Sequence, residues 1–311
     1  MIRIPNVLII GNGINKSFGC QSWDELLELI SDKDMLSVDK KIITDNLPYS
    51  LQAVALSKNA IGQRIKEIVP EMICTGIPEA QAKLIRQFAD LEFDAVLTTN
   101  YSYETEKALD PSFSCKISTR NKYRKTLLED ADKSERRLGM FKCMEVQYEG
   151  RPERIFHIHG EAGLPDSIVL GHYYYGELLS KCYKRLPSVI AEYKKCDKEA
   201  LELNYNSWLK YILIGNVYIV GLGLDPAELD LWWLLNCKQY RFPNAGKVYW
   251  YEPNLEKDEK AQVKKILAET YGVKVITKKI DGNYQKYYKD TAEEIKNALQ
   301  NEEMRRVVWQ Y

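Results

Sequence analysis

Short β-branched or apolar runs, set apart by long helix-like stretches, restrict the fold of this chain more than any other feature. The runs lie at residues 7–10, 95–98, 155–158, 168–170, 217–220, 248–251 and 273–276, and helical patterns fill 23–30, 61–69, 79–88, 177–193, 227–235 and 255–271. Strands that alternate with helices need crossover connections, which give a mainly parallel sheet. The unbroken apolar character of 217–220 suits a strand covered on both faces. The expected fold class is therefore α/β, with helices flanking the sheet.

The spacing exceeds that of a minimal doubly wound sheet, because 84 residues separate the first run from the second and 56 more precede the third. Helical insertions are expected at about 33–89 and 111–154, and a helical segment at about 177–210. The 311 residues are expected to form one domain with insertions. Equal numbers of basic and acidic residues, 44 of each, with 45% hydrophobic residues, exclude a disordered chain and a wholesale polybasic nucleic-acid binder. Residues 111–154 still hold 11 basic against 7 acidic residues. A solvated insertion is one reading of that excess, and a phosphate- or nucleic-acid-binding flap is another.

The longest uncharged stretch, 211–224, has 14 residues, whereas a membrane helix needs roughly 18 to 20. The run at 7–10 is too short for a signal-peptide core. Seven widely spaced cysteines without a C-x-x-C form neither a disulfide framework nor a zinc ribbon, so reduced thiols and a cytoplasmic location are expected.

Chemistry-bearing residues gather where the apolar runs end. Gly11-Asn12-Gly13-Ile14-Asn15 follows the first, and a helix is expected to begin near Ser22. Two glycines there let the backbone approach a pyrophosphate, although Lys16 stands where a third glycine would complete the dinucleotide pattern; a plain tight turn is the alternative. Thr98-Thr99-Asn100-Tyr101 ends the second run, at the carboxyl edge where parallel sheets bind ligands. Asn100 either meets a water or ribose hydroxyl there or caps a helix at 103–109.

His157-Ile158-His159-Gly160 holds two of the three histidines. On a continued strand both would face one side, which admits a metal pair lacking further ligands. A hydrogen-bonded core histidine fits His157, and a general base fits His159. Gly221-Leu222-Gly223-Leu224-Asp225 ends another run; Asp225 is a ligand-site residue or an N-cap before Pro226. Glu252 or Asn254, after the run at 248–251, could hold an adenosine ribose or merely form the exit loop.

Taken together, the Gly-Asn-Gly, Thr-Thr-Asn-Tyr, His-Ile-His-Gly and Gly-Leu-Gly-Leu-Asp segments, in that order, resemble the sirtuin-like family, and within it the bacterial, defence-associated branch that hydrolyses NAD. The resemblance covers roughly residues 6–276. It implies a Rossmann-like sheet with NAD as substrate across the carboxyl edge, Asn100 and His159 as catalytic residues, and Gly11, Gly13, Gly221 and Gly223 at the phosphates and ribose. Asn12, Asn15, Thr99, Tyr101 and Asp225 would line the same crevice.

Ser102 stands where the family often has Asp, and Leu224 where it usually has Ser. The Pro-Asp-Phe-Arg type of segment and the zinc cysteines of protein deacylases are missing, which argues against deacylation and against a bound zinc. The branch implies restraint of a toxic activity by homo-oligomer assembly or by a partner defence protein. The alternative is a non-catalytic NAD or ADP-ribose sensor. After residue 276 the chain shows a helix at 290–301 and an apolar tail at 307–311, expected to dock on its own domain or on a neighbouring subunit.

Overall fold

The computed structural model describes residues 3–20, 22–74, 76–116, 121–127, 139–199, 201–253 and 259–308. Its strands are β1 (Asn6–Ile10), β2 (Ala95–Thr98), β3 (Arg124–Thr126), β4 (Lys142–Tyr148), β5 (Arg151–His157), β6 (Asn216–Val220), β7 (Val248–Pro253) and β8 (Val273–Lys278). They form one sheet in the order β3-β4-β5-β2-β1-β6-β7-β8. From β5 to β8 in the sheet order every neighbour is parallel, and only β4 runs against the rest, antiparallel to both β3 and β5. The fold is a Rossmann-like α/β sheet.

Between β1 and β2 lie α1 (Gly13–Lys16), α2 (Trp23–Ile30), α3 (Ser37–Asn46), α4 (Tyr49–Leu56), α5 (Ile61–Cys74) and α6 (Glu79–Ala89). The insertion at 33–89 is thus helical. α7 (Glu104–Leu109) follows β2, α8 (His172–Glu199) and α9 (Trp208–Ile214) join β5 to β6, and α10 (Leu229–Arg241), α11 (Glu259–Thr270) and α12 (Tyr284–Val308) complete the layers. α2 starts where its sequence says it should: the Ser22 hydroxyl accepts from the Glu25 N–H and the Glu25 carboxylate accepts from the Ser22 N–H, a reciprocal cap.

Strand side chains alternate between two cores. Leu8, Ile10, Val96, Ile155, Tyr218 and Val220 pack with α2, α4 to α7 and α12. Val7, Ile9, Leu97, Phe156, Val217 and Ile219 pack with α8 to α11. β1, β2, β6 and the end of β5 are therefore apolar on both faces, the reason their sequences read as continuous runs.

Two expectations need correction. Residues 168–170 are a buried loop after a 3-10 turn at Pro165–Ser167, and their backbone is satisfied by loop partners: Val169 N–H donates to the His159 carbonyl and Val169 O accepts from the Tyr101 hydroxyl. The segment 111–154 is not helical among its described residues. It builds β3, β4 and the start of β5, with the β4–β5 turn at Glu149-Gly150, both at positive φ, between the paired Tyr148 and Arg151. That geometry fits a two-residue hairpin turn, for which Asn-Gly or Asp-Gly is the usual signal, so Glu-Gly hid it. Part of its basic excess is internal: Arg124 pairs with Glu161, and Arg151 with Glu153 and Glu92.

The helix expected at 290–301 lies within α12. Residues 309–311 of the expected tail fall outside the described residues. No helix among the described residues is long and apolar enough to cross a membrane.

One buried lysine ties α10 to the central layer. Lys238 donates to the carbonyls of Ile212, Leu213 and Gly215 at 3.1, 3.1 and 2.7 Å, closing the end of α9 before β6. Burial, helped by Lys247, pushes its ammonium down to about 7. The unfolded chain then binds more protons between pH 7 and about 10, so this group makes stability rise with pH in that window and fall again toward pH 7. Urea midpoints measured at pH 7 and pH 9.5 should rise more in the wild type than in Lys238→Met; equal slopes would refute the assignment.

Candidate functional site

Chain connections leave β1 and β6 in opposite directions along the sheet, which makes their shared carboxyl edge the switch point where open α/β sheets bind ligands. Gly11 N–H donates to Val220 O at 2.9 Å and Gly13 N–H to Gly221 O at 2.7 Å. A Cβ on Gly11 would collide with the Gly221 carbonyl and the Leu222 backbone, so this close approach demands glycine. The two amides are spent on β6, which corrects the expectation that Gly11 and Gly13 offer free N–H groups to a phosphate. The helix that follows, α1, has one turn only, and the Tyr288 hydroxyl of α12 rests against Gly13.

Asn12 and Asn15 are drawn into the same turn. Asn15 Nδ2 donates to Asn12 Oδ1 at 3.2 Å, and Asn15 Oδ1 accepts from Gln81 Nε2 at 2.9 Å. Asn15 is 2% exposed and Gln81 is fully buried, so Asn15 fastens the turn to α6 instead of lining an open crevice.

The second glycine segment is pinned carbonyl by carbonyl. Gly221 O accepts from Gly13, Leu222 O from Trp250 Nε1, Gly223 O from Lys264 Nζ and Asp225 O from Trp232 Nε1. Leu224 is buried at positive φ (42°). Asp225 does not cap α10. Its Oδ1 accepts from the Ala227 N–H at 2.8 Å, and its own N–H donates to Glu228 Oε2 at 3.0 Å, a local turn that carries the chain into α10 at Leu229.

Asn100 lies at the neighbouring exit, between β2 and β5. It is not a helix cap, since Tyr103 precedes α7 without a side-chain cap bond. Its N–H donates to Thr98 Oγ1 at 3.1 Å, and its carbonyl accepts from His157 Nδ1 at 2.7 Å. Among the described residues no hydrogen bond engages its half-buried side-chain amide. Thr99 is also half-buried, whereas Tyr101 is inside, its hydroxyl spent on Val169 O. Burial raises that phenol well above its ordinary value.

The two histidines face opposite cores, which removes the metal-pair reading. β5 ends at His157, and the following turn sends His159 to the other side. His157 packs edge-on against Tyr103 and meets Glu106 Oε1 at 2.8 Å. His159 packs edge-on against Tyr175 and meets Asp230 Oδ2 at 2.8 Å. Gly160 is at φ +90°, where a Cβ would strike the Ser167 carbonyl, so only glycine permits the turn. Among the described residues no group of three or more His, Cys, Asp or Glu is placed to hold a metal ion.

The His159–Asp230 pair is 2% and 1% exposed, and Asp230 Oδ1 is buried without a partner. Burial opposes charge on the imidazole, but the Asp230 carboxylate overcomes it and raises His159 above its ordinary value. Beside them burial pushes the Glu228 carboxyl up to about 7 against the pull of His159. Asp230, Glu228 and Glu106 are missing from any motif: acids within charged or amphipathic stretches carry no signal of where tertiary folding will bring them. Glu252 lies half-buried at the end of β7, near Tyr287 and Tyr288 of α12, and Asn254 falls outside the described residues. Compared with protein-family models and with curated proteins, the chain matches none.

Asp230→Asn removes the main charge that raises His159 and leaves burial opposed by Glu228 alone. In an NMR titration of the chain's three histidines, the His159 resonance should then shift to a midpoint below the ordinary 6.5 or so. An unchanged midpoint would show that Asp230 does not govern it.

Proposed function

We propose that the protein is an NAD glycohydrolase that cleaves the nicotinamide–ribose bond to give nicotinamide and ADP-ribose. The observation that carries the reading is Asn100: both of its main-chain groups are held by neighbouring side chains at the carboxyl edge of the sheet, while its side-chain amide stays unengaged. The register pairs Thr98 with His157, so Asn100 and His159 follow two residues later on the segments that leave two adjacent strands. The resemblance of the strand-end segments to the NAD-hydrolysing sirtuin-like branch supports the same assignment.

Nicotinamide leaves as a neutral molecule, since the electron pair of the breaking C–N bond neutralises its pyridinium nitrogen. The enzyme has mainly to place the ribose, shield the oxocarbenium-like state and take one proton from the attacking water. Asn100 orients the ribose hydroxyls or that water. Asp230 accepts the Nε2–H of His159, which leaves Nδ1 to take the proton. A pair closed this tightly needs a movement of the 221–228 segment or of α8 to admit a substrate, in keeping with an activity restrained until an oligomer or a partner releases it. NAD depletion in anti-phage defence is the role that such restraint fits.

Purified protein incubated with NAD should release nicotinamide and ADP-ribose, and His159→Ala should slow release by about 100- to 10,000-fold. Because only unprotonated His159 can act as base, kcat should rise with pH through the raised value of that group. Full activity in both Asn100→Ala and His159→Ala would end the assignment.

The burial of His159 also favours a second reading, a sensor that binds NAD or ADP-ribose without cleaving it. Calorimetry giving tight NAD binding with no nicotinamide released, in every assembly state, would select it.

A further inference from the structure

His157 lies outside the chemistry proposed for His159, and its surroundings are too specific for a core side chain. Its ring nitrogens meet the Asn100 carbonyl at 2.7 Å and Glu106 Oε1 at 2.8 Å. A carbonyl and a carboxylate can only accept, so both nitrogens donate and the ring is an imidazolium. Burial opposes that charge, yet Glu106 and, behind it, Glu161 raise the imidazole to about 9. The side chain is 5% exposed and that of Glu106 is fully buried.

Of the Glu106 carboxylate only Oε1 is engaged, and Oε2 is buried without a partner. Glu106 comes from α7 and Tyr103 from the residue before it, while Glu161 follows β5 and is held by the Tyr103 hydroxyl at 2.7 Å and by Arg124 Nε of β3 at 2.8 Å. A buried ion pair is a poor means of gaining stability, because apolar side chains of similar volume serve as well or better. What this pair supplies is a donor aimed at one backbone carbonyl. β2 ends at Thr98, so the sheet ladder offers the Asn100 carbonyl no partner. On its other side the Asn100 N–H is taken by Thr98 Oγ1, which itself donates to Ile10 O of β1 at 2.9 Å.

We propose that His157 is a positioning residue: oriented by Glu106, its Nδ1–H clamps the Asn100 carbonyl so that side chains and backbone of β1, β2 and β5 hold Asn100 ready to meet a ligand. The clamp rests on the reading of Asn100 as the ligand-handling residue. A misplacement of that side chain by about an ångström is enough to cost on the order of 100-fold in rate.

Two isosteric substitutions separate the ring's two bonds. The amide nitrogen of Asn falls near the place of Nδ1, and that of Gln near the place of Nε2. Both are made in a Glu106→Gln background, so that neither leaves a buried carboxylate unpaired. Hydrogen exchange across residues 98–103 and kcat for NAD are measured in each. His157→Gln breaks the clamp and is expected to speed exchange in that segment at least about tenfold and to lower kcat about 100-fold; His157→Asn keeps a donor to Asn100 and should lose markedly less of both. Equal exchange in the two variants, or equal losses that track their urea midpoints, would overturn the clamp and leave His157 a structural residue. Absence of nicotinamide release from the wild type would defeat the hydrolase reading instead, while the exchange comparison would still decide the clamp.

Discussion

The approach of the Gly13 amide to the Gly221 carbonyl is the contact on which the site depends. It draws the exits of β1 and β6 together at the switch point, leaves no room for a side chain at Gly11 or Gly13, and sets the course of residues 221–228. Once the Gly221 carbonyl is placed, Trp250, Lys264 and Trp232 hold the next carbonyls along the loop, and Asp230 arrives beside His159. The glycines at this edge act first as packing devices between two strands. Their conservation of space matters more than their amides, which are already spent.

Two histidine–carboxylate pairs flank the same strand exit and differ in consequence. His157 uses both nitrogens on fixed acceptors and is committed to the protein. His159 spends Nε2 on Asp230 and among the described residues makes no hydrogen bond through Nδ1, while each of the two carboxylates keeps one buried oxygen without a partner. Burying such pairs is costly because each charge gives up its hydration. The cost falls at the carboxyl edge of the sheet, among side chains that border Asn100 and the pinned loop.

Much of the architecture is legible in the chain. Six parallel strands coincide with apolar runs, because burial on both faces makes the central ones apolar throughout, while β8 at the sheet edge keeps Lys274 exposed. Ser22 and Glu25 announce α2 because capping is local chemistry. The hairpin of β4 and β5 is not legible in the chain, since Glu149-Gly150 lacks the usual turn residues and both faces of β4 meet partners, blurring its alternation. Residues 168–170 have strand composition but find side-chain and loop partners for their backbone instead.

For the site, the sequence by itself determined which residues stand at strand ends: the glycine turns, Asn100, and the two histidines next to Gly160. It did so because strand exits are marked by local changes in composition and by glycine. Only the tertiary structure decided which partners each of them meets. Glu106 and Asp230 reach their histidines from 51 and 71 residues away, and the end of β5 at His157 turns His159 to the opposite face. Partners brought together over such separations are chosen by packing of the helices around the sheet, and no local pattern of charge or hydrophobicity encodes them.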